Sequence, residues 1–333
     1  MVSISVNGKP FELSDGRTVS DLIRAQGVDG KGMAVAVNGR VVRRVEWQDT
    51  QLAEGDQVRL VRPIGGGETV DFFDPRPLVI AGRTFKSRLF AGTGRFQSPA
   101  LLRAALAASG TEMVTVAIRA TGVDGSGPDA GILSAIELDK YHLLPNTAGA
   151  TSVRQAVFMA ELAREALGTN WVKLEVIGDE RTLWPDVTGT VEAAKILVKE
   201  GFVVLPYTTQ DLVAALRLED AGTATVMPLG SMIGSGQGVI DPDAISRIAE
   251  RIEVPVVVDA GIGTASDAAL AMESGADACL INTAISRSDN PQVMAAAMRY
   301  AVNSGRLSYL AGRMPRSDFA IPSSPLEGVP LEG

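Results

Sequence analysis

A lysine and a glutamate stand two residues apart in the run Trp171-Val172-Lys173-Leu174-Glu175-Val176-Ile177-Gly178. The run alternates as a strand does, sending Val172, Leu174 and Val176 to one face and Lys173, Glu175 and Ile177 to the other. Strands of a parallel α/β core are normally apolar on both faces, so a cation and a carboxylate on one face of such a strand ask for a reason. Burial disfavours the ammonium and lowers its pKa, whereas a neighbouring carboxylate favours the charged form. The sequence leaves open which of the two prevails. A lysine amine that is neutral near pH 7 attacks a carbonyl and forms an imine. The plainer alternative is a structural ion pair inside a barrel.

Other groups widen the chemistry. Asp259 ends the apolar run Pro255-Val256-Val257-Val258. Either it caps the loop that follows, or it joins Lys173 and Glu175 to give an amine with two carboxylates. Imine chemistry needs proton transfers to and from carbon and oxygen, which carboxylates in a dry site perform. Three further strand ends lead into residues 231–238, 259–263 and 281–284, and the first two of these stretches are glycine-rich. Glycines let the backbone approach an anion, and exposed amides near a helix start attract phosphate. Several such loops side by side point to a phosphorylated substrate, with Gly234, Gly261 and Thr283 around the phosphate. A side chain at Gly261 is expected to obstruct that approach. Arg119 is either a counter-charge for an acidic group or a surface ion-pair partner. His142 precedes an apolar strand and is expected to be structural, and Cys279 to behave as a small hydrophobe.

The composition narrows the field. The chain has 333 residues, 46% hydrophobic and 21% charged, with a net charge of −8 and 5% aromatics. That length suits a barrel-sized domain plus a small one, and the acidic balance argues against nucleic-acid binding. One cysteine excludes an internal disulfide, and with one histidine a Cys/His metal site is not expected. No apolar run reaches membrane-spanning length. The opening residues read as a strand and a turn, not a signal peptide, so a cytoplasmic location is expected.

The elements that must position Lys173 come from the pattern. Residues 1–67 form a unit of their own: a hairpin around Asn7-Gly8, a helix over 20–24 capped by Thr18 or Ser20, a second hairpin joining 33–37 to 41–45 around Asn38-Gly39, and a closing strand over 57–61. This is the pattern of a β-grasp, ubiquitin-like domain. The unit carries nine basic and eight acidic residues, leaving 31 − 9 = 22 basic and 39 − 8 = 31 acidic for the rest. Residues 68–77, with Pro75 and Pro77, read as a linker. From 78 to 333, after a short hairpin, strands are expected over 88–92, 113–119, 143–147, 171–177, 203–207, 224–228, 255–259 and 278–283. Helices are expected over 99–109, 153–167, 191–200, 211–221, 244–252, 265–274 and 292–303. This alternation suits a (β/α)₈ TIM barrel, whose function gathers at the C-terminal ends of the strands. An open doubly wound sheet is the alternative, since strand order is not legible. The tail over 321–333 is expected to be flexible or a flap over the barrel mouth.

Taken together, five motifs resemble the bacterial thiazole synthase (ThiG) family in family order: residues 172–178, Val204-Leu205-Pro206-Tyr207-Thr208, Ile233-Gly234-Ser235-Gly236-Gln237-Gly238, residues 257–263, and Asn282-Thr283-Ala284. Residues 1–67 resemble the sulfur carrier ThiS, ending in Gly66-Gly67. The resemblance implies a (β/α)₈ barrel that builds the thiazole phosphate of thiamine from 1-deoxy-D-xylulose 5-phosphate, dehydroglycine and a carrier thiocarboxylate. It implies Lys173 as the imine-forming residue, Glu175 and Asp259 as acid/base carboxylates, and Gly234, Ala260, Gly261, Asn282 and Thr283 as binders of the sugar phosphate. It further implies a homo-oligomer, a carrier-activating enzyme as partner, and neither metal nor other cofactor.

One feature departs from the pattern. A free-standing carrier ends at its Gly-Gly, whereas here Gly67 is followed by Glu68, so either activation needs cleavage after Gly67 or the domain is not a working carrier. Two other functions stay open at this point: an imine-forming aldolase acting on a sugar phosphate, and a non-catalytic scaffold presenting the N-terminal domain.

Overall fold

A computed structural model describes residues 2–27, 33–61, 74, 76–117, 136–137 and 140–323. The chain divides into two compact units, Met1–Asp71 and Phe72–Gly333.

In the first unit, β1 (Val2–Val6) and β2 (Lys9–Leu13) form an antiparallel hairpin, as do β3 (Ala34–Val37) and β4 (Arg40–Val42). Both turns place Asn and Gly at positive φ, 50° and 80° at Asn7-Gly8 and 51° and 79° at Asn38-Gly39, the conformation that matches strand twist. Helix α1 (Val19–Ala25) is capped by Thr18, whose Oγ1 accepts from Asp21 N while Asp21 accepts from Thr18 N. Strand β5 (Gln57–Val61) enters the middle of the sheet, parallel to β1, giving the order β2-β1-β5-β3-β4. This is the β-grasp. The strand expected over 41–45 stops at Val42, where a 3₁₀ turn over Arg44–Glu46 seats Trp47 in the core and lets its Nε1 donate to Val42 O.

The second unit opens with a hairpin of β6 (Leu78–Ile80) and β7 (Arg83–Phe85). Then come β8 (Leu89–Gly92), α2 (Pro99–Ser109), β9 (Met113–Ala117), β10 (His142–Asn146), α3 (Val153–Leu167) and β11 (Trp171–Leu174). A two-stranded excursion, β12 (Ile177–Asp179) and β13 (Trp184–Pro185), precedes α4 (Val187–Lys199), β14 (Val203–Thr208), α5 (Leu212–Asp220) and β15 (Met227–Pro228). Next are α6 (Pro242–Ala249), β16 (Val257–Asp259), α7 (Ala265–Glu273), β17 (Ala278–Ile281), the short α8 (Thr283–Ser286) and α9 (Pro291–Ala311). The parallel ladder runs β15-β14-β11-β10-β9-β8-β17-β16, and parallel bridges Val226–Val256 and Leu229–Asp259 join its two ends. That closure excludes the open sheet and makes a (β/α)₈ barrel.

Alternation along the strands sorts the core into layers. Val172, Leu174, Val176, Val204 and Val226 point outward onto Ala156, Ala160, Ala193, Ala194 and Leu197 of the helices. Phe90, Met113, Leu144, Leu205, Met227 and Val257 fill the interior. Leu78, Ile80 and Phe85 of the first hairpin pack against that filling and plug the end where the strands begin. There Phe85 meets Phe90, His142 and Trp171 edge-on, with centroids 5.6, 6.0 and 6.1 Å away. His142 is thus structural in its setting, remote from the strands' C-terminal ends. Cys279 is fully buried among apolar groups, which pushes its thiol up to about 12.

Candidate active site

The Lys173 backbone is held by a neighbour rather than by a long strand. Strand β11 ends at Leu174, short of the expected 177, because Thr147 takes over its edge. Thr147 Oγ1 accepts from Glu175 N and donates to Glu175 O, both at 2.8 Å, and Thr147 N donates to Lys173 O. The alternation survives: Lys173 and Glu175 face into the barrel mouth while Val172, Leu174 and Val176 face the helices.

Lys173 Nζ lies 2.6 Å from Asp259 Oδ2 and 3.1 Å from Glu175 Oε1. All three side chains are buried, at 6%, 3% and 5% exposure for Lys173, Asp259 and Glu175. Burial opposes the ammonium, but the charges of Asp259 and Glu175 outweigh it and hold Lys173 above the ordinary lysine range. The question the sequence left open is settled in favour of the carboxylates in the free site. Burial pushes the Asp259 carboxyl up, an effect the ammonium only partly offsets. A carboxylate made more basic in this way, in ion-pair contact with the amine, is a proton acceptor for it.

The triad lines a pocket of about 200 Å³, with walls that include Thr115, Asn146, Ile233, Gly234, Ala260, Gly261, Asn282 and Thr283. Lys173, Glu175, Asp259, Gly234, Ala260, Gly261, Asn282 and Thr283, singled out from the sequence, therefore lie at one place. Gly66 and Gly67 lie outside the described residues, and so does Arg119. The rim is built by two loops in close approach. Ala260 and Gly261 both have positive φ, 73° and 80°, and a Cβ on Gly261 would collide with the backbone N and Oγ of Ser231. The glycine is thus required by the adjoining loop, and the expectation that a side chain there mainly obstructs a ligand is corrected. Gly234 is different: a Cβ there meets only Thr283 Oγ1, at 4.0 Å. Asn282 fits because Gly92 has no side chain, since a Cβ at 92 would overlap its Cβ and Cγ. Its Oδ1 is buried without a hydrogen-bond partner, a group that a ligand's donor would satisfy.

Comparison with known proteins identifies the family. Residues 79–325 match the family model for thiazole biosynthesis protein ThiG. The chain belongs to the ThiG family. Residues 4–67 match the ThiS family, so a ThiS-like region precedes the ThiG barrel in one chain. A thiazole synthase of Paramagnetospirillum magneticum is 44% identical over 98% of this chain and 100% of its own length. One of Rhodospirillum rubrum is 50% identical over 86% of this chain and 99% of its own. The crystal structure of the Amycolatopsis orientalis BexX/CysO complex contains a chain that matches at 38% identity and a TM-score of 0.66, covering 73% of this chain and 99% of that one. This ThiG chain is accordingly an enzyme of thiazole formation in thiamine biosynthesis.

Two residues of the ThiG pocket, and one beside Lys173, were given no role by the sequence reading. Thr115 lies in the middle of β9 and Asn146 at the end of β10, in runs, Met113-Val114-Thr115-Val116 and Leu143-Leu144-Pro145-Asn146, that look like ordinary buried strands. Tyr207 is fully buried with its ring 5.8 Å from Lys173 Nζ. The signal available was position alone, since Asn146 and Tyr207 sit where a barrel strand delivers its last inward side chain.

Proposed function

We propose that this chain is a thiazole synthase that assembles thiazole phosphate from 1-deoxy-D-xylulose 5-phosphate, dehydroglycine and sulfur from a carrier thiocarboxylate, through an imine between Lys173 and the sugar ketone. The observation that carries this reading is Lys173 Nζ between two buried carboxylates on the inner wall of a pocket at the barrel mouth. Asp259, the nearer, takes the ammonium proton, so that the neutral amine attacks the ketone. Glu175 is placed to move protons at the adjoining carbon and oxygen. Gly234, Ala260, Gly261, Asn282 and Thr283, in the same pocket, hold the phosphate. The test is borohydride trapping of the full chain with the sugar phosphate, followed by peptide mapping. A stable adduct on Lys173 is expected, absent in Lys173→Ala. It is absent too in Lys173→Arg, because a guanidinium stays charged. An adduct on another lysine, or undiminished trapping in a folded variant, refutes the assignment.

The N-terminal unit is proposed as the sulfur carrier, with residues 1–67 its extent and 68–77 a linker to the barrel. A thiocarboxylate needs a free C-terminus, so the carrier works after cleavage behind Gly67. Intact masses measured after expression with the host's sulfur-transfer partners test this. A fragment ending at Gly67, with one oxygen replaced by sulfur, supports it, and a whole chain that still makes thiazole rules it out. A homo-oligomeric assembly, which sedimentation would reveal, belongs to the same proposal.

A further inference from the structure

Lys173 has a third neighbour besides its carboxylates. The ring of Tyr207 stands 5.8 Å from Nζ, measured to its centroid, within the distance at which an aromatic face attracts a cation. Because Tyr207 is fully buried, little water competes for that charge. Its Oη donates to Leu183 O at 3.3 Å, and Leu183 leads into β13. Leu183 and Ala260 both hold positive φ, 56° and 73°, a conformation that disfavours any residue with a Cβ. Both pack against one apolar patch of Ile177, Tyr207 and Leu229. Strained residues persist where their surroundings over-determine them, and here the shared surroundings centre on Tyr207.

We propose that Tyr207 is a positioning residue for the imine reaction, its ring face stabilising the positive charge on Nζ and its hydroxyl holding the β12–β13 hairpin beside the pocket. This rests on the reading of Lys173 as the imine-forming residue. In that step the ammonium and the ketone give a protonated imine and one water: a nitrogen–carbon double bond forms, the carbonyl oxygen leaves, and the charge on nitrogen is the same before and after. The ring therefore faces a cation at both ends of the step and a neutral amine only between them. Burial raises the Tyr207 phenol well above its usual range, with the charges of Asp259 and Glu175 adding to the effect, so the hydroxyl keeps the proton it donates to Leu183.

The test uses the full chain, the sugar phosphate and borohydride across pH. Borohydride reduces the protonated imine, so trapping falls once the imine loses its proton, and that alkaline limb reports how well the cation is stabilised. Two chains are compared with the unaltered one: Tyr207→Phe, and a chain with trifluorophenylalanine at position 207, which keeps the ring's shape but drains its face of charge. The phenylalanine chain is expected to keep the limb in place and to show faster hydrogen exchange over 177–185. The fluorinated chain is expected to move the limb down by about one pH unit. A folded fluorinated chain whose limb coincides with that of Tyr207→Phe overturns the role of the ring. Unchanged exchange over 177–185 in Tyr207→Phe overturns the role of the hydroxyl. If the unaltered chain is not trapped at Lys173, the imine reading fails and this inference fails with it.

Discussion

Replacing Lys173 by methionine is informative because it keeps the stem and deletes the charge. Two carboxylates then remain buried with no cation between them. At an effective dielectric constant of about 20, a unit pair at 2.6 Å attracts by about 6 kcal/mol and one at 3.1 Å by about 5 kcal/mol. Desolvation consumes much of this gross attraction. Deleting one partner of a buried pair typically costs about 3–5 kcal/mol, a large share of the roughly 5–15 kcal/mol that holds a domain folded. The loss should depend on pH, with a definite sign. In the variant, burial is no longer offset by an ammonium, and it raises the Asp259 carboxyl further above its unfolded value. The folded state then binds more protons than the unfolded one above about pH 4, so stability falls as pH rises. We expect Lys173→Met to lose about 3–5 kcal/mol at pH 8 and to regain most of it near pH 5. The assay is urea unfolding of the barrel at both pH values, with Lys173→Met/Glu175→Gln/Asp259→Asn as the partner variant, which should recover stability at pH 8. If Lys173→Met matches the unaltered chain at pH 8, the three groups are not coupled as the geometry requires.

Other outcomes follow from the same structure. Burial, helped by Arg83, pushes His142 down to about 4, so the folded state resists protonating it. Its contribution is complete above pH 6.5 and is lost as pH falls towards 4. As the chain's one histidine, it gives a single imidazole NMR signal whose midpoint checks this, and a midpoint near 6.5 contradicts it. Gly261→Val should cost the barrel more than about 2 kcal/mol in unfolding experiments, because its side chain enters the Ser231 loop. Gly234→Ala should cost about 1–2 kcal/mol for its positive φ yet weaken sugar-phosphate binding by about tenfold or more in calorimetry. Equal binding would move the phosphate away from Gly234.

The chemistry of this chain was more legible than its element boundaries. Lys173 and Glu175 announced themselves because charge on a buried strand violates a simple pattern. The Asn-Gly turns were readable because few residue pairs adopt their backbone. Boundaries failed where tertiary contacts overrode local signals. Helix α4 begins at Val187, four residues before the expected 191, because Asp186 accepts from Gly189 N and stabilises a first turn rich in Thr and Gly. Helix α9 continues past 303 to Ala311 although Asn303-Ser304-Gly305 reads as a stop. Gly305 is there for packing, since a Cβ on it would strike Ala269 O of α7. The β12–β13 hairpin had no separate signature, as Ile177 simply continued the alternation of β11. The direction of the Lys173 shift lay beyond the sequence because it depends on Asp259, which is 86 positions away in the chain and in ion-pair contact in the fold.

The packed interior of the barrel also imposes an order of events. Phe90, Met113, Leu144, Leu205, Met227 and Val257 occupy the space below Lys173, with the β6–β7 hairpin behind them, so the pocket is a blind alley. Whatever reaches the amine has come through the mouth and must leave through it. In the proposed reaction a sugar phosphate joined to Lys173 occupies the inner end, and every later reactant queues on its outer side. The first molecule in is the last out, and a later reactant that arrives early blocks the way. Excess sulfur donor or imine co-substrate should therefore inhibit the first step competitively with the sugar phosphate.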